Sequence, residues 1–438
     1  MQAIVLAAGE GSRMRPLTLA RPKVMLPVGG KPLLDQIVTR AHEAGVNRFV
    51  FVVGYQKETI MDHFGDGSDL NVKIEYVVQE EQLGTGDALK MTEYLAEDRF
   101  FVLNGDVLTD AASLRKMAES DEMGVAAKRV EDPYRYGVFE VEDGLVKSVV
   151  EKSRSPPSNL ANAGIYIFEK KIFEALAEVE VSERGEYELT DGLNLLIEKG
   201  EKIAVTELED WIEIGRSWDI LAANEVLLPP KVHGVLGEVE ANAILLGKVS
   251  VGKGSIVRSG SYIVGPVIIG EDCDIGPNCF IRANTSIGDN VHIGNAVEIK
   301  NSTIMDNTNV AHLSYVGDSV IGSNCNFGAG TIVANLRHDN ANIMSYVKGE
   351  KVDSGRRKLG VIIGENVKTG INTTIYPGTV IEPGYRGRPG EALWGHIEPP
   401  KLEEGRVMDS PETPGDAILE EAQDQSEPKR PEDDEPIR

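Results

Sequence analysis

From residue 251 onward an aliphatic side chain returns at every sixth position: Val251, Val257, Ile263, Ile269, Ile275, Ile281, Ile287, Ile293 and Ile299, without a miss. Two residues before each stands Val249, Ser255, Ser261, Val267, Cys273, Cys279, Thr285, Val291 or Val297, so large and small inward positions alternate. Such a repeat predicts short strands stacked turn on turn around a continuous core, a parallel β-helix. The beat slips by one residue after Ile299, continuing at Ile304, Val310 and Val316, and slips again to Ile321, Phe327 and Val333. A segment at about 335–360 loops out before Ile363, Thr369, Ile375 and Ile381 resume it. Slips and insertions in a repeat are where function concentrates.

The N-terminal part follows another pattern. Apolar β-branched runs ("QAIVLAA", "RFVFVVG", "KIEYVVQ", "RFFVLNGD") alternate with helical stretches such as "LLDQIVTRAHEAG" and "TGDALKMTEYLA", which implies a parallel α/β sheet covered by helices. After the helix-like "SWDILAANEVLL" the pair Pro229-Pro230 ends this pattern. The last forty residues mix acids with prolines and almost no aromatics, the composition of a disordered tail. Three segments are expected: 1–228, 229–398 and a disordered acidic tail, 399–438.

Composition narrows the chemistry. The 438 residues, 41% hydrophobic and 26% charged, suit two or three domains with ample core. The net charge of -25 repels nucleic acid and anionic lipid, so any phosphate must be held by a local cluster against the global field; a salty cytoplasm would also explain the acidity. No apolar run approaches the roughly 18 residues of a membrane span, and "AIVLAAG" lacks the basic flank of a signal peptide. A cytoplasmic location with no nucleic-acid or membrane partner is expected. Cys273, Cys279 and Cys325 occupy the small inward slot and read as buried hydrophobes rather than a zinc site or disulfide.

"LAAGEGSRMRPLT" follows the first strand directly. Gly9 and Gly11 let the backbone wrap close to an anion, and Arg13 and Arg15 add fixed positive charge. The segment has no Gly-Lys-Ser/Thr and fails the third glycine of the dinucleotide fingerprint. "RPKVMLPVGGKPLLD" then supplies Lys23 between prolines. With "QLGTGDAL", Gln79 ahead of it, "LNGDVL", "YGVFE", "VEKS", "NAGIYIF" and "EYELTD", in that order across residues 1–228, the sequence resembles the sugar-1-phosphate nucleotidyltransferases, whose domain is Rossmann-like α/β.

That resemblance implies roles. An attacking sugar phosphate is already anionic, so charge neutralisation and in-line positioning carry the reaction and no general base is required. Gly9, Gly11, Arg13 and Lys23 would hold the triphosphate of UTP or dTTP, and Asp106 would hold Mg²⁺. Gln79 matches the N3–H and O4 edge of uracil or thymine, and Gly84 and Thr85 approach the nucleotide. Gly137, Glu151, Lys152 and Asn162 would bind the sugar phosphate. Where thymidylyltransferases of the family usually place Asp as second metal ligand, this chain reads "WIEIG", with Glu213.

In a β-helix with three six-residue sides, positions eighteen apart lie about 4.8 Å apart on one face. Arg282 and Lys300 are so related, and like charges that close call for an anion between them. Allowing for the slip, Glu298 lies beside Tyr315. His312, in "VAHLSYVGD", stands two residues past inward Val310, at a corner rather than in the stack. The stretch from "IGPNCFIRANTSIGDN" to "GAGTIVANL" looks like the acetyltransferase half of the bifunctional enzymes that make UDP-N-acetylglucosamine. The continuation, "NLRHD" to "GRRKLGVIIGENVKTGIN", is most similar to archaeal bifunctional sugar-1-phosphate nucleotidylyltransferase/acetyltransferases.

This second resemblance implies a left-handed β-helix that trimerises, with His312 as general base. Arg282 and Lys300 would bind sugar phosphate, Tyr315 and Asn326 the amino sugar, and Asn335 and the Ala329 backbone acetyl-CoA. A hexosamine ammonium must lose a proton before attacking a thioester, a task suited to an imidazole, whose ordinary pKa is about 6.5. Glu298 is the candidate to orient the ring and the Ala329 amide the candidate oxyanion donor. Relatives commonly carry lysines just after this loop begins, whereas "NLRHDNANIM" has none before Lys348; phosphate contacts there are either weaker or supplied by Arg337, Arg356, Arg357 or Lys358.

Three readings follow. The first is a two-site enzyme that N-acetylates glucosamine 1-phosphate and then joins the product to UMP. The second is a glucose-1-phosphate thymidylyl- or uridylyltransferase whose β-helix only oligomerises. The third is a non-catalytic regulatory paralogue. Arg13, Lys23 and Asp106 argue against the third, and His312 with Arg282, Lys300 and Asn335 against the second.

Overall fold

Strand Gln2–Leu6 runs parallel to Arg48–Val53 on one side and to Arg99–Asn104 on the other. In the computed structural model, which describes residues 1–228 and 234–399, these strands and Lys73–Val78 form one half of a nine-stranded sheet. Their near-continuous apolar character follows from burial on both faces: Phe49 to Val53 are all sealed from solvent. Helix Leu33–Glu43 covers one face through Leu33, Leu34, Ile37, Val38 and Ala41, the spacing of a single helical stripe.

The other half departs from the expected parallel sheet. Strand Leu160–Glu169 pairs antiparallel with both Arg99–Asn104 and Met123–Arg129. The reason is local: Gly137–Glu142 and Leu145–Glu151 form a hairpin, and no crossover helix separates them from Leu160–Glu169. Parallel pairing needs such a crossover.

The strand order reverses at Gln2–Leu6, because the chain goes first to Arg48–Val53 and crosses only later to Arg99–Asn104. In open α/β sheets the crevice at the carboxyl ends of such a pair is the natural ligand site. The glycine loop after Leu6 and the turn holding Asp106 both emerge there, tied by Gly105 N–H donating to Leu6 O at 2.9 Å.

The repeat forms a left-handed β-helix. Its three sheets contain six, eight and eight strands among the described residues. Every large inward residue from Val251 to Ile299 is at most 1% exposed, and the three cysteines are buried free thiols. Ile281 stacks on Ile263 and Ile299 on Ile281, but Val316 follows Ile299 after a turn one residue shorter. The lost residues fall at the corners that carry Asn301 and Asp318, both in the left-handed backbone region. These corners stack, Asp318 N–H donating to Lys300 O at 2.8 Å. The interruption becomes a hairpin, Met344–Val347 with Glu350–Asp353.

One hydrophobic cluster spans both halves and includes Met305, Val320, Ile362 and Val380 of the β-helix together with Trp218, Leu221 and Leu227. Asn224 on helix Asp219–Leu227 is fully buried at the junction; it accepts from Gly29 N–H at 2.7 Å and donates to Thr303 Oγ1 at 2.9 Å. Arg21 donates to Glu365 at 2.8 Å and to Ser323 at 2.7 Å, and Arg356 pairs with Glu225 at 2.8 Å. Residues 1–399 thus pack as one unit. Pro229-Pro230 and all but the first residue of the acidic tail lie outside the described residues. No described helix is long and apolar enough to cross a membrane.

Candidate active sites

The crevice beyond Leu6 and Asn104 opens into two adjoining cavities. The larger, about 530 Å³, is lined by Gly9, Gly11, Arg13, Lys23, Gln79, Gly84, Thr85 and Asp106. The smaller, about 280 Å³, is lined by Gly137, Glu151, Lys152, Asn162 and Glu213. Arg13, Thr85, Asn104, Asp106, Lys152 and Arg184 border both. The residues expected to hold nucleotide and sugar phosphate therefore lie in two compartments that share one wall.

Two glycines have steric reasons to be glycine. Gly11 has φ +64, and a Cβ there would come within 2.8 Å of Lys23 Cβ; Gly84 has φ +111, and a Cβ would meet Tyr187 O at 2.5 Å. Gly9 has open space around it. Lys23 Nζ donates to Asp106 Oδ2 at 2.6 Å. Burial opposes the Asp106 charge, yet the Lys23 ammonium, with Arg13 beyond, holds its carboxyl below the ordinary range. Glu213 is pushed the other way, first by burial and then by the Asp106 charge. It lies on strand Trp211–Glu213, opposite Val107, so the two carboxylates are brought together by strand pairing. Both carboxylates line the smaller cavity, and two oxygen-donor groups of this kind, one of them under-compensated, would suit Mg²⁺.

Gln79 is 3% exposed and spends its amide N–H on Asp87 at 2.8 Å and on Gly84 O at 3.3 Å. Its carbonyl oxygen has no partner among the described residues, so the acceptor faces outward and Asp87 fixes that orientation. Asp87 was readable in "GTGDAL" only as part of a motif. Asn162 bridges Tyr166 Oη at 2.8 Å and Gly164 N–H at 3.0 Å. Glu151 lies 3.8 Å from Lys152 and 3.5 Å from Arg184. Arg184, unforeseen from the sequence, also pairs with Glu188 at 2.6 Å. Asn104, likewise unforeseen, keeps a buried carbonyl oxygen without a partner among the described residues.

On the β-helix, His312 ends strand Asn309–His312 and is exposed at the corner leading into the next side. Register places it on Asn295, and Gly330 N–H donates to its carbonyl at 3.3 Å. The adjacent Ala329 amide has no acceptor among the described residues. Asn326 stacks on Asn309 of the histidine strand and is exposed.

The following side carries the cations. Strand register aligns Phe280 with Glu298 and Glu298 with Tyr315, which brings Arg282 beside Lys300. Each cation has its own carboxylate. Arg282 pairs with Glu298 at 3.0 Å and lies over the Phe280 ring. Lys300 pairs at 2.8 Å with Asp318, which is 2% exposed and also accepts from Asn301 at 2.8 Å and from Asn335. Asn335 reaches Tyr315 Oη at 3.1 Å. Gly317 makes room for this cluster, since a Cβ there would lie 2.5 Å from Tyr315 Oη. Glu298 is thus engaged by Arg282, and among the described residues no hydrogen bond joins it to His312. Asp318 gave no signal in the sequence, because it sits at a corner, off the six-residue beat.

Comparison with known proteins finds a separate match for each half of the chain. The nucleotidyl transferase family matches residues 2–228, and the GMPPB C-terminal domain matches residues 263–383. The chain belongs to the nucleotidyl transferase family, and within it to the bifunctional GlmU and sugar-1-phosphate nucleotidylyltransferase/acetyltransferase proteins. It is 44% identical over 384 residues to the bifunctional protein GlmU of Methanococcus maripaludis, covering 87% of this chain and 92% of that one. Against GlmU of Methanocaldococcus jannaschii the identity is 43%, with the same coverage. A bifunctional sugar-1-phosphate nucleotidylyltransferase/acetyltransferase of Sulfurisphaera tokodaii is 38% identical over 90% of this chain and 97% of its own length.

Proposed function

We propose that the C-terminal half, residues 229–398, transfers acetyl from acetyl-CoA to the amine of glucosamine 1-phosphate. Residues 1–228 then join the N-acetylated product to UMP from UTP, releasing pyrophosphate. The observation that carries this reading is the presence on one chain of two separate cationic sites, one beside a glycine loop and a carboxylate pair, the other on the side of the prism that follows the corner of an exposed histidine.

At the β-helix site Arg282 and Lys300 engage the sugar phosphate, while Tyr315 and Asn326 position the amino sugar. Glu298 and Asp318 hold the two cations in place. His312 accepts the proton from the ammonium so that its nitrogen attacks the thioester carbonyl. The unpaired Ala329 amide suits the developing oxyanion, and Asn335 contacts the acetyl donor. At the crevice, Gly9, Gly11, Arg13 and Lys23 hold the triphosphate. The Gln79 carbonyl accepts N3–H of a pyrimidine, with Gly84 and Thr85 alongside the nucleotide. Gly137, Glu151, Lys152 and Asn162 bind sugar phosphate. Asp106 and Glu213 would hold Mg²⁺, which would offset charge on the pyrophosphate as it leaves.

A homotrimer fits the exposed apolar pair Ile244 and Tyr262, stacked on one side of the prism, which a second copy would cover. The test is a substrate panel with the full chain. CoA release is followed with glucosamine 1-phosphate, galactosamine 1-phosphate or no amine, and pyrophosphate release with UTP or dTTP. Amine-dependent CoA release supports the reading, and its absence with every amine refutes the acetyl half.

A further inference from the structure

The insertion at about 335–360 has roots that belong to the acetyl site. Leu359 N–H donates to Asn335 O at 3.1 Å and Gly360 N–H to Asp318 O at 2.8 Å. Its tip has no role so far. The two-residue turn of the hairpin is Lys348–Gly349, and Lys348 lines the larger crevice cavity together with Gly9, Gly11, Ser12 and Arg13. The same lysine lines the neighbouring cleft with Glu10, Ser12 and Arg15. It therefore stands against both flanks of the glycine loop.

Three further observations bear on this tip. The hairpin is held firmly: Ser345 Oγ donates to Gly378 O at 2.9 Å, Tyr346 stacks on His396 at 6.0 Å, and Val347 and Val352 pack on the shared core. Lys348 has φ +52 and Gly349 φ +78; a turn with both residues in that region favours Asn-Gly, so lysine sits there against its backbone preference. Finally, Lys23, Arg15 and Lys300 each have a carboxylate partner, whereas Lys348 has none among the described residues. In a chain of net charge -25, a cation left unpaired beside an anion-binding loop is a binding group without its ligand.

We infer that Lys348 is a further nucleotide-binding residue: the β-helix extends an arm to the other half and places an ammonium on the β- and γ-phosphates of the nucleoside triphosphate. This rests on the nucleotide site proposed above.

Calorimetry of UTP, UMP and tripolyphosphate binding to the full chain, with Mg²⁺ present, tests it. Lys348→Gly and Lys348→Asn suit the turn better than lysine does, so the fold is kept, and CoA release with glucosamine 1-phosphate checks that the β-helix is intact. Losing one charge-assisted contact should weaken UTP and tripolyphosphate about tenfold in both variants and leave UMP unchanged, with Lys348→Arg restoring most of the loss. Wild-type UTP affinity in Lys348→Gly, or equal weakening of UTP and UMP, overturns the inference alone. A wild-type chain that binds neither UTP nor tripolyphosphate overturns the nucleotide site and this inference together.

Discussion

Asp318, almost closed off from solvent, holds the ammonium of Lys300 at 2.8 Å and takes two side-chain amides besides. A buried carboxylate with three donors is held in one orientation, and the lysine it holds is fixed at the edge of the proposed acetyl site. Asp318→Asn should therefore destabilise the chain by about 2–3 kcal/mol, less than for a fully buried pair because Lys300 keeps some contact with water. Acetyl transfer should fall with it. Adding Lys300→Met should recover stability in denaturant titration but not CoA release, which separates the structural role of the pair from its use in binding.

Lys23 and Asp106 form the corresponding pair in the crevice, at 2.6 Å. Lys23→Ala removes a donor to the triphosphate and leaves Asp106 facing Glu213 with only Arg13 to offset the pair. Pyrophosphate release should drop by about 100-fold or more, the scale of losing one preorganised electrostatic contact. CoA release should be unaffected. Parallel loss of both activities would mean that the two sites are not separate.

Asp87 offers a subtler test, since it touches Gln79 rather than the proposed nucleotide. Asp87→Ala frees the Gln79 amide to rotate, so the acceptor is no longer held outward. The KM for UTP should rise by about tenfold, and discrimination against purine nucleotides should weaken. Asp87→Asn, which still offers an acceptor to the Gln79 N–H, should retain more of both.

Much of this arrangement is legible in the sequence, for definable reasons. The β-helix announces itself because each rung must bury one large residue, and Ile275 or Ile299 cannot be replaced by chance. The crevice residues are legible because phosphate binding needs glycine and cation at close spacing, as in Gly11 and Arg13. What stays hidden depends on long-range pairing. Asp318 meets Lys300 only through stacked corners, Arg184 reaches Glu151 only across the cavity wall, and Lys348 meets the glycine loop only because the two halves dock. Leu160–Glu169 is antiparallel because of a hairpin whose turn, at Asp143 and Gly144, is a weaker signal than the helices that suggested a parallel sheet.

Docking itself is testable at Asn224. Its side chain satisfies Gly29 on one side and Thr303 on the other, with no exposure of its own. Asn224→Ala leaves a buried donor and a hydroxyl without partners, a loss of about 2–4 kcal/mol. Denaturant unfolding of the full chain should show either a lower midpoint or two separated transitions in place of one. A midpoint unchanged from wild type would mean that this junction contributes little to stability.

Central to the account is proton removal by His312 on a β-helix that otherwise resembles a structural stack. The decisive measurement is CoA release from acetyl-CoA with glucosamine 1-phosphate by wild type and His312→Ala, alongside pyrophosphate release from UTP with N-acetylglucosamine 1-phosphate. Loss of the base should slow the first reaction by about 100-fold or more and leave the second at the wild-type rate. CoA release by His312→Ala at the wild-type rate would contradict the account.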